Sequence, residues 1–224
     1  MTAACNTPAH HFPEEMLLDY AAGSLPESLS ILVATHLSLC PACRAVVADC
    51  EAVGGELLSG LAPVALASDA LDKVLARLDA EEERARVDVL AAPAAGQRPL
   101  PAPLRDYLGD DPDELAWQAL APGIELVALP PKGGDAWPGT SGVSLVRMDP
   151  GTVAPRHTHE GIEATVIVRG GFADELGQYE EGDAWIVDAS VTHAPVALPG
   201  EPCLCLVYLE APLKPVGDRH VASI

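Results

Sequence analysis

The sequence is poor in positive charge. Its 13 Lys and Arg stand against 33 Asp and Glu, for a formal net charge of −20. That balance excludes direct binding to DNA or RNA as a reading, because phosphates demand clustered Lys and Arg, and it fits a basic protein partner. Aromatic residues are also scarce at 4% of the chain, so any core must rest on Leu, Val and Ala. No apolar run approaches the roughly 20 residues that cross a bilayer, so no membrane contact is expected. Met1 to His11 contains no charged stretch followed by an apolar one, and a signal peptide is therefore not expected. There is no disulfide framework either. Of the 6 cysteines (Cys5, Cys40, Cys43, Cys50, Cys203 and Cys205), only Cys40 and Cys43 carry metal-site spacing, a pattern that belongs in a reducing, cytoplasmic compartment.

What is present suffices for two folded units, each with its own core. Hydrophobic residues make up 49% of the 224 positions and charged residues only 21%, which argues against overall disorder. Residues 1–90 read as an all-α module. The spacing predicts a short helix from Glu14 to Ala22 stopped by Gly23, and a second from the capping box Ser24-Leu25-Pro26-Glu27 to about Leu39. A third is expected from Ala42 to about Leu58, and a fourth after Ser68 with Leu71, Val74, Leu75 and Leu78 on one face. An Ala/Pro-rich stretch, 91–103, has little to bury and reads as a linker. From 104 to 216 the pattern turns to short strands punctuated by Gly and Pro, including Ile124–Leu129, Gly142–Met148, Ala164–Val168, Ala184–Val187 and Cys203–Leu209. That pattern favours an all-β sandwich or barrel, followed by a tail at 217–224.

Each unit carries its own metal-ligand constellation, an arrangement that suits a switch better than a simple enzyme. In the first, His36-x3-Cys40-x2-Cys43 offers two thiolates across a short turn and one imidazole, and His10 and His11 are the remaining histidines of that half. A closed structural zinc site needs four such ligands. In the second, His157-x-His159 places two imidazoles on one face of a strand, with Glu163 and His193 completing three imidazoles and a carboxylate. That set suits zinc, iron, manganese or nickel. Cys203 and Cys205 share a strand face and read as small core residues, with a sensing role as the alternative.

The run Gly151-x5-His157-x-His159-x3-Glu163-x6-Gly170 is similar to the first motif of the cupin family of jelly-roll barrels. Gly182-x5-Asp188-x-Ser190-x2-His193 resembles the second, with Asp188 and Ser190 in place of the usual Pro and Gly. The order of a His-x3-Cys-x2-Cys helical module, a Pro-rich linker and a cupin resembles, over nearly the whole chain, the ChrR family of cupin-containing zinc anti-sigma factors. Leu17–Gly23 and Val33–Cys43 add to the likeness. The resemblance implies that His11, His36, Cys40 and Cys43 hold a structural zinc, and that His157, His159, Glu163 and His193 hold a second ion, zinc in the studied type. It also implies that the helical module binds an extracytoplasmic-function sigma factor, with the cupin needed for the response to singlet oxygen or related oxidants. On that reading the apolar faces of the first, second and fourth helices, with Leu17, Leu18, Leu71, Val74, Leu75 and Leu78, dock the partner, and chains could pair through their barrels. The rival expectation is a cupin dioxygenase or isomerase with a helical regulatory arm, because two histidines and a carboxylate also serve non-haem iron oxygenases.

Overall fold

The computed structural model describes residues 7–78, 98–132, 137 and 141–217. The expected charged end of the fourth helix (Glu81 to Arg86), most of the 91–103 stretch and the tail from 218 onward lie outside the described residues.

The helical part comprises α1 (Glu14–Ala21), α2 (Glu27–Leu39), α3 (Pro41–Ser59) and α4 (residues 70–78). Gly23 ends the first turn region at φ 68°, a left-handed conformation natural to glycine. The expected capping box does not form. Pro26 occupies the N-cap of α2 with no side-chain cap, and the Ser24 hydroxyl donates instead to the Asp19 carbonyl at 3.1 Å. Glu27 accepts from the Tyr107 hydroxyl at 2.7 Å and from the Lys132 N–H at 2.8 Å, so the residue expected to close a cap ties α2 to the second unit.

The second unit begins with α5 (Ala102–Leu108) and a 3-10 turn (Pro112–Glu114) and continues, among the described residues, as eleven strands. A six-stranded antiparallel sheet has the order β1 (Gln118–Ala121), β2 (Ile124–Leu129), β3 (Gly142–Met148), β10 (Cys203–Leu209), β5 (Glu163–Arg169), β8 (Ala184–Val187). Opposite it stand β7 (Gln178–Glu180), β6 (Gly171–Ala173) and β9 (Val196–Ala197), and the pair β11 (Lys214–Pro215) with β4 (His157–Thr158) completes the barrel. Four of the five strands expected from sequence have the expected bounds, and β5 is one residue longer at each end.

The two-period of the central strands divides them between two cores. On β5, Ala164, Val166 and Val168 face one cluster and Ile167 the other; on β10, Leu204, Leu206 and Tyr208 face the first, and Cys203 and Cys205 the second. The second cluster, with Phe172, Tyr179 and Trp185, fills the barrel. The first joins the outer sheet face to the helices, so Phe12, Leu17, Leu32 and Val33 share one core with Leu145, Val166 and Leu206. Strands buried on both faces read as continuous apolar runs, which is why β5 and β10 show no clean alternation in sequence.

Two expectations are thereby corrected. The helical module has no core separate from the barrel. And the end of the 91–103 stretch is packed rather than free: Leu100 is 1% exposed, and Leu104 on α5 is buried in the same cluster against α2. Leu100→Ala should therefore lower the unfolding free energy of the full chain by about 2–5 kcal/mol, measured by denaturant titration. A change inside about 0.5 kcal/mol would mark that position as free linker.

Candidate metal centres

The first centre is built at a corner. α2 stops at Leu39, Cys40 takes an extended conformation (φ −110°, ψ 104°), and α3 departs at 118° to α2. Pro41 fits the first turn of α3, where its missing N–H costs nothing. The Cys40 Sγ accepts the Cys43 N–H at 3.4 Å, so the sulfur caps α3 at the end of the helix that favours negative charge. His36, one turn earlier on α2, puts its Nε2 3.2 Å from the Cys43 Sγ. His11, from the segment ahead of α1, places Nδ1 3.4 Å from both sulfurs. All four donor atoms lie within 4.8 Å of one another.

Ligand bonds of zinc to sulfur and nitrogen at a tetrahedral angle put those atoms about 3.6 Å apart, close to the spacings seen here. The donors therefore fit a closed zinc site. Burial and the neighbouring Cys40 push the Cys43 thiol up to about 12, so that sulfur stays protonated unless a cation takes the place of the proton. Burial likewise lowers the pKa of His36, which favours the neutral imidazole that a metal needs. The residues alone left His10 and His11 open. The structure turns His10 away, its ring 4.8 Å from that of Tyr179, and gives His11 to the cysteines.

The second centre lies inside the barrel. His157 on β4, His159 just beyond it, Glu163 at the start of β5 and His193 after β8 are all buried. Their Nε2 atoms stand 3.8, 3.4 and 3.7 Å from one oxygen, Oε2 of Glu163, and the donors of His157, Glu163 and His193 lie within 4.8 Å of one another. His159 Nε2, His193 Nε2 and Glu163 Oε2 have no hydrogen-bond partner although buried. Buried orphans of this kind are costly, and one cation among them would satisfy all three. Burial pushes the Glu163 carboxyl up, but His157 and His193 outweigh it and hold it at about 2.

Outer hydrogen bonds aim these ligands. The His157 Nδ1–H donates to the Pro155 carbonyl at 2.8 Å, and the His193 Nδ1 meets Asp174 Oδ2 at 2.9 Å, which leaves each Nε2 facing the centre. The substituted second motif keeps its turn: Asp188 Oδ1 accepts from the Ser190 N–H at 2.9 Å and its hydroxyl at 2.6 Å, an Asx turn that delivers the chain to His193. Asp174 escaped the sequence reading, since nothing in its spacing to His193 distinguishes it from the other carboxylates.

Comparison with known proteins decides the family. Residues 108–212 match the family model described as the ChrR cupin-like domain. The anti-sigma-E factor ChrR of Cereibacter sphaeroides is 40% identical over 205 residues, covering 92% of this chain and 91% of that one. The chain belongs to the ChrR family. A crystal structure of Rhodobacter sphaeroides SigE in complex with the anti-sigma ChrR aligns with 91% of this chain and 100% of its own, at 36% identity and a TM-score of 0.74.

The remaining residues singled out from sequence divide sharply. Leu17 is buried in the shared core, while Leu18, Leu71, Val74, Leu75 and Leu78 are exposed. The apolar faces of α2 are not free for a partner, because that helix packs on β5, β10, α3 and α5. Cys203 and Cys205 lie in the barrel core, where hydrogen bonding between them and burial push the Cys205 thiol up. Both are buried packing residues of that core.

Two outcomes test the centres. Asp174→Asn should weaken metal binding in the barrel about 10- to 100-fold without changing the cysteine site, read by metal competition titration. Cys40→Ser with Cys43→Ser should remove one metal equivalent per chain and lower the melting temperature of the whole chain, read by metal analysis and calorimetry.

Proposed function

We propose that the protein is an anti-sigma factor whose helical module holds an extracytoplasmic-function sigma factor away from RNA polymerase. The observation that carries this is an apolar surface left uncovered from the end of α3 opposite the cysteine site onward. Leu57, Leu58, Leu61, Val64 and Leu66 run from the end of α3 into the following segment, each at least 67% exposed, and α4 adds Leu71, Val74, Leu75 and Leu78. A monomer rarely leaves such a contiguous strip in water, and amphipathic helices of this kind dock into a partner's groove. The chain's negative charge suits a partner that itself binds nucleic acid through basic residues. The likeness to ChrR over both modules supports the same reading.

Zinc is the ion we assign to the cysteine site, since two thiolates and two imidazoles in a closed set match its structural chemistry. We assign one further divalent ion, zinc in the first instance, to the barrel. There it would sit among His157, His159, Glu163 and His193 and act in the response to oxidants such as singlet oxygen. A sensing role for Cys203 and Cys205 would require the barrel to open first. The reading places the protein in the cytoplasm with its sigma factor. A dioxygenase or isomerase activity of the barrel stands second, because the likeness that spans both modules is to an anti-sigma factor.

Run-off transcription with polymerase, the cognate sigma factor and this protein tests the proposal. Added protein should abolish transcripts. Leu71→Asp with Leu75→Asp should restore them, with sigma binding weakened at least about 30-fold, the effect of losing a hot spot worth roughly 2 kcal/mol. Its melting temperature should not change, because both side chains are exposed in the free protein. His157→Ala should leave inhibition intact in this assay and blunt release by oxidant. Release of the sigma factor without oxidant would make the barrel a support instead of a sensor.

A further inference from the structure

The β7–β8 turn of the barrel, residues 181–183, carries the chain from one sheet to the other and also completes the surroundings of the other module's metal site. The Gly182 carbonyl accepts the Nδ1–H of His36 at 2.8 Å, which fixes the ring so that Nε2 faces the cysteines. Asp183 Oδ1 accepts the N–H groups of Ala9 and His10 at 2.7 and 3.0 Å, and the Ala184 N–H donates to the His10 carbonyl at 3.0 Å. The segment delivering His11 is therefore held by three hydrogen bonds, all from the barrel. The other oxygen of Asp183 accepts the Glu180 N–H at 2.9 Å, so its carboxylate is locked within its own turn. The approach leaves no spare room: Gly182 has φ +92°, and a Cβ there would stand 2.7 Å from Cγ of Pro8.

The same turn feeds directly into the barrel's own centre. β8, which begins at Ala184, pairs Val187 with Glu163, and the Trp185 ring stands 5.0 Å from that of His193. Tyr179, on β7 just ahead of the turn, lies 5.6 Å from Trp185 on one side and 4.8 Å from His10 on the other. Two ligands of the barrel centre, one ligand of the cysteine centre (His36) and the segment leading to His11 thus all meet one short strand–turn–strand segment.

We infer that Asp183 is a positioning residue for the cysteine-site metal, and that the turn carrying it is the mechanical link through which occupancy of the barrel centre sets the affinity of the helical module's centre. This rests on the reading that both centres bind metal. When the barrel centre is filled, His193 and Glu163 are fixed, β8 and Trp185 are fixed with them, and the turn presents Gly182 and Asp183 to His36 and to the His11 segment in register. When it is empty, the turn is held less firmly and the cysteine site loses its outer hydrogen bonds first. Coupling of this kind is reciprocal between two binding equilibria.

Cobalt(II) tests the link on the full-length chain, because only the cysteine site yields thiolate-to-cobalt charge-transfer absorption. Asp183→Ala should weaken cobalt binding there about 10- to 100-fold, the usual cost of losing an outer-shell partner, while the barrel centre keeps its metal. Asp183→Asn, which retains a carbonyl acceptor for Ala9 and His10, should recover most of that loss. Ala9→Pro deletes one of the donors without altering the barrel and should weaken the same absorption titration, so the test survives an unstable Asp183 variant. In the parent chain, cobalt should bind the cysteines more tightly with the barrel centre filled than in Glu163→Ala, and Asp183→Ala should erase the difference. Equal cysteine-site affinity in parent, Asp183→Ala and Ala9→Pro chains overturns the positioning role, and equal affinity with the barrel centre filled or empty overturns the link. A parent chain showing no charge-transfer band overturns the metal reading itself.

Discussion

Helix α2 is apolar on every side, and most of this structure follows from having to cover it. Ile31, Leu32 and Val33 are consecutive and all buried, which no single neighbouring surface could achieve. The helices α1 and α3 cover part of the cylinder, and the outer face of β5 and β10, with α5, covers the rest. An alternative in which the barrel hangs from a free linker would expose several large side chains, at roughly 1.5–3 kcal/mol each. Thr35, also enclosed, satisfies its hydroxyl within the helix by donating to the Ile31 carbonyl at 2.7 Å. The joint between the two modules is therefore part of the core and not a surface contact.

That constraint places His36. A residue near the end of a helix sandwiched between two layers can address both, and His36 uses one nitrogen on each: Nε2 toward the cysteines and Nδ1 toward the Gly182 carbonyl. With its relative exposure at 0%, the ring has no water to satisfy either nitrogen, so both partners are obligatory. The zinc-type site is consequently not a property of the helical module alone. The exposed apolar strip, by contrast, lies on the end of α3, the segment after it and α4, which leaves it open to a partner while the joint stays closed.

Local rules read from the sequence carried as far as elements and ligand sets, and stopped at relations between units. The helices α1 to α3 follow from helical spacing with Gly and Pro stops, the principal strands from short apolar runs bounded by Gly and Pro, and the Cys40–Cys43 and His157–His159 pairs from spacing that a single turn or strand imposes. The Asx turn at Asp188 explains why a motif without its usual Pro and Gly still delivers His193. What spacing could not disclose was the partner of each outer polar group. Glu27 looked like half of a capping box because it stands three residues after Ser24, yet it binds Tyr107 and the Lys132 N–H. Asp174 and Asp183 looked like any of the 33 acidic residues. One signal was present and points the right way: the sequence of α2, ESLSILVATHLSL, offers no polar stripe wide enough for a surface helix.

The same packing bears on how a barrel could influence a partner bound to the far side of the helices. Transmission through a flexible tether would need a large rearrangement, because a slack chain conveys no orientation. Transmission through a shared core needs only a small one, since closely packed interiors shift between discrete arrangements and do not deform smoothly. Here the path from the barrel centre to the cysteine centre runs through β8, the turn ahead of it and one helix, and the path from the cysteine centre to the apolar strip runs along α3. A change of a few tenths of an ångström at His193 or Glu163 therefore meets a continuous rigid train, and the first polar contacts in its way are those of Gly182 with His36 and of Asp183 with the His11 segment.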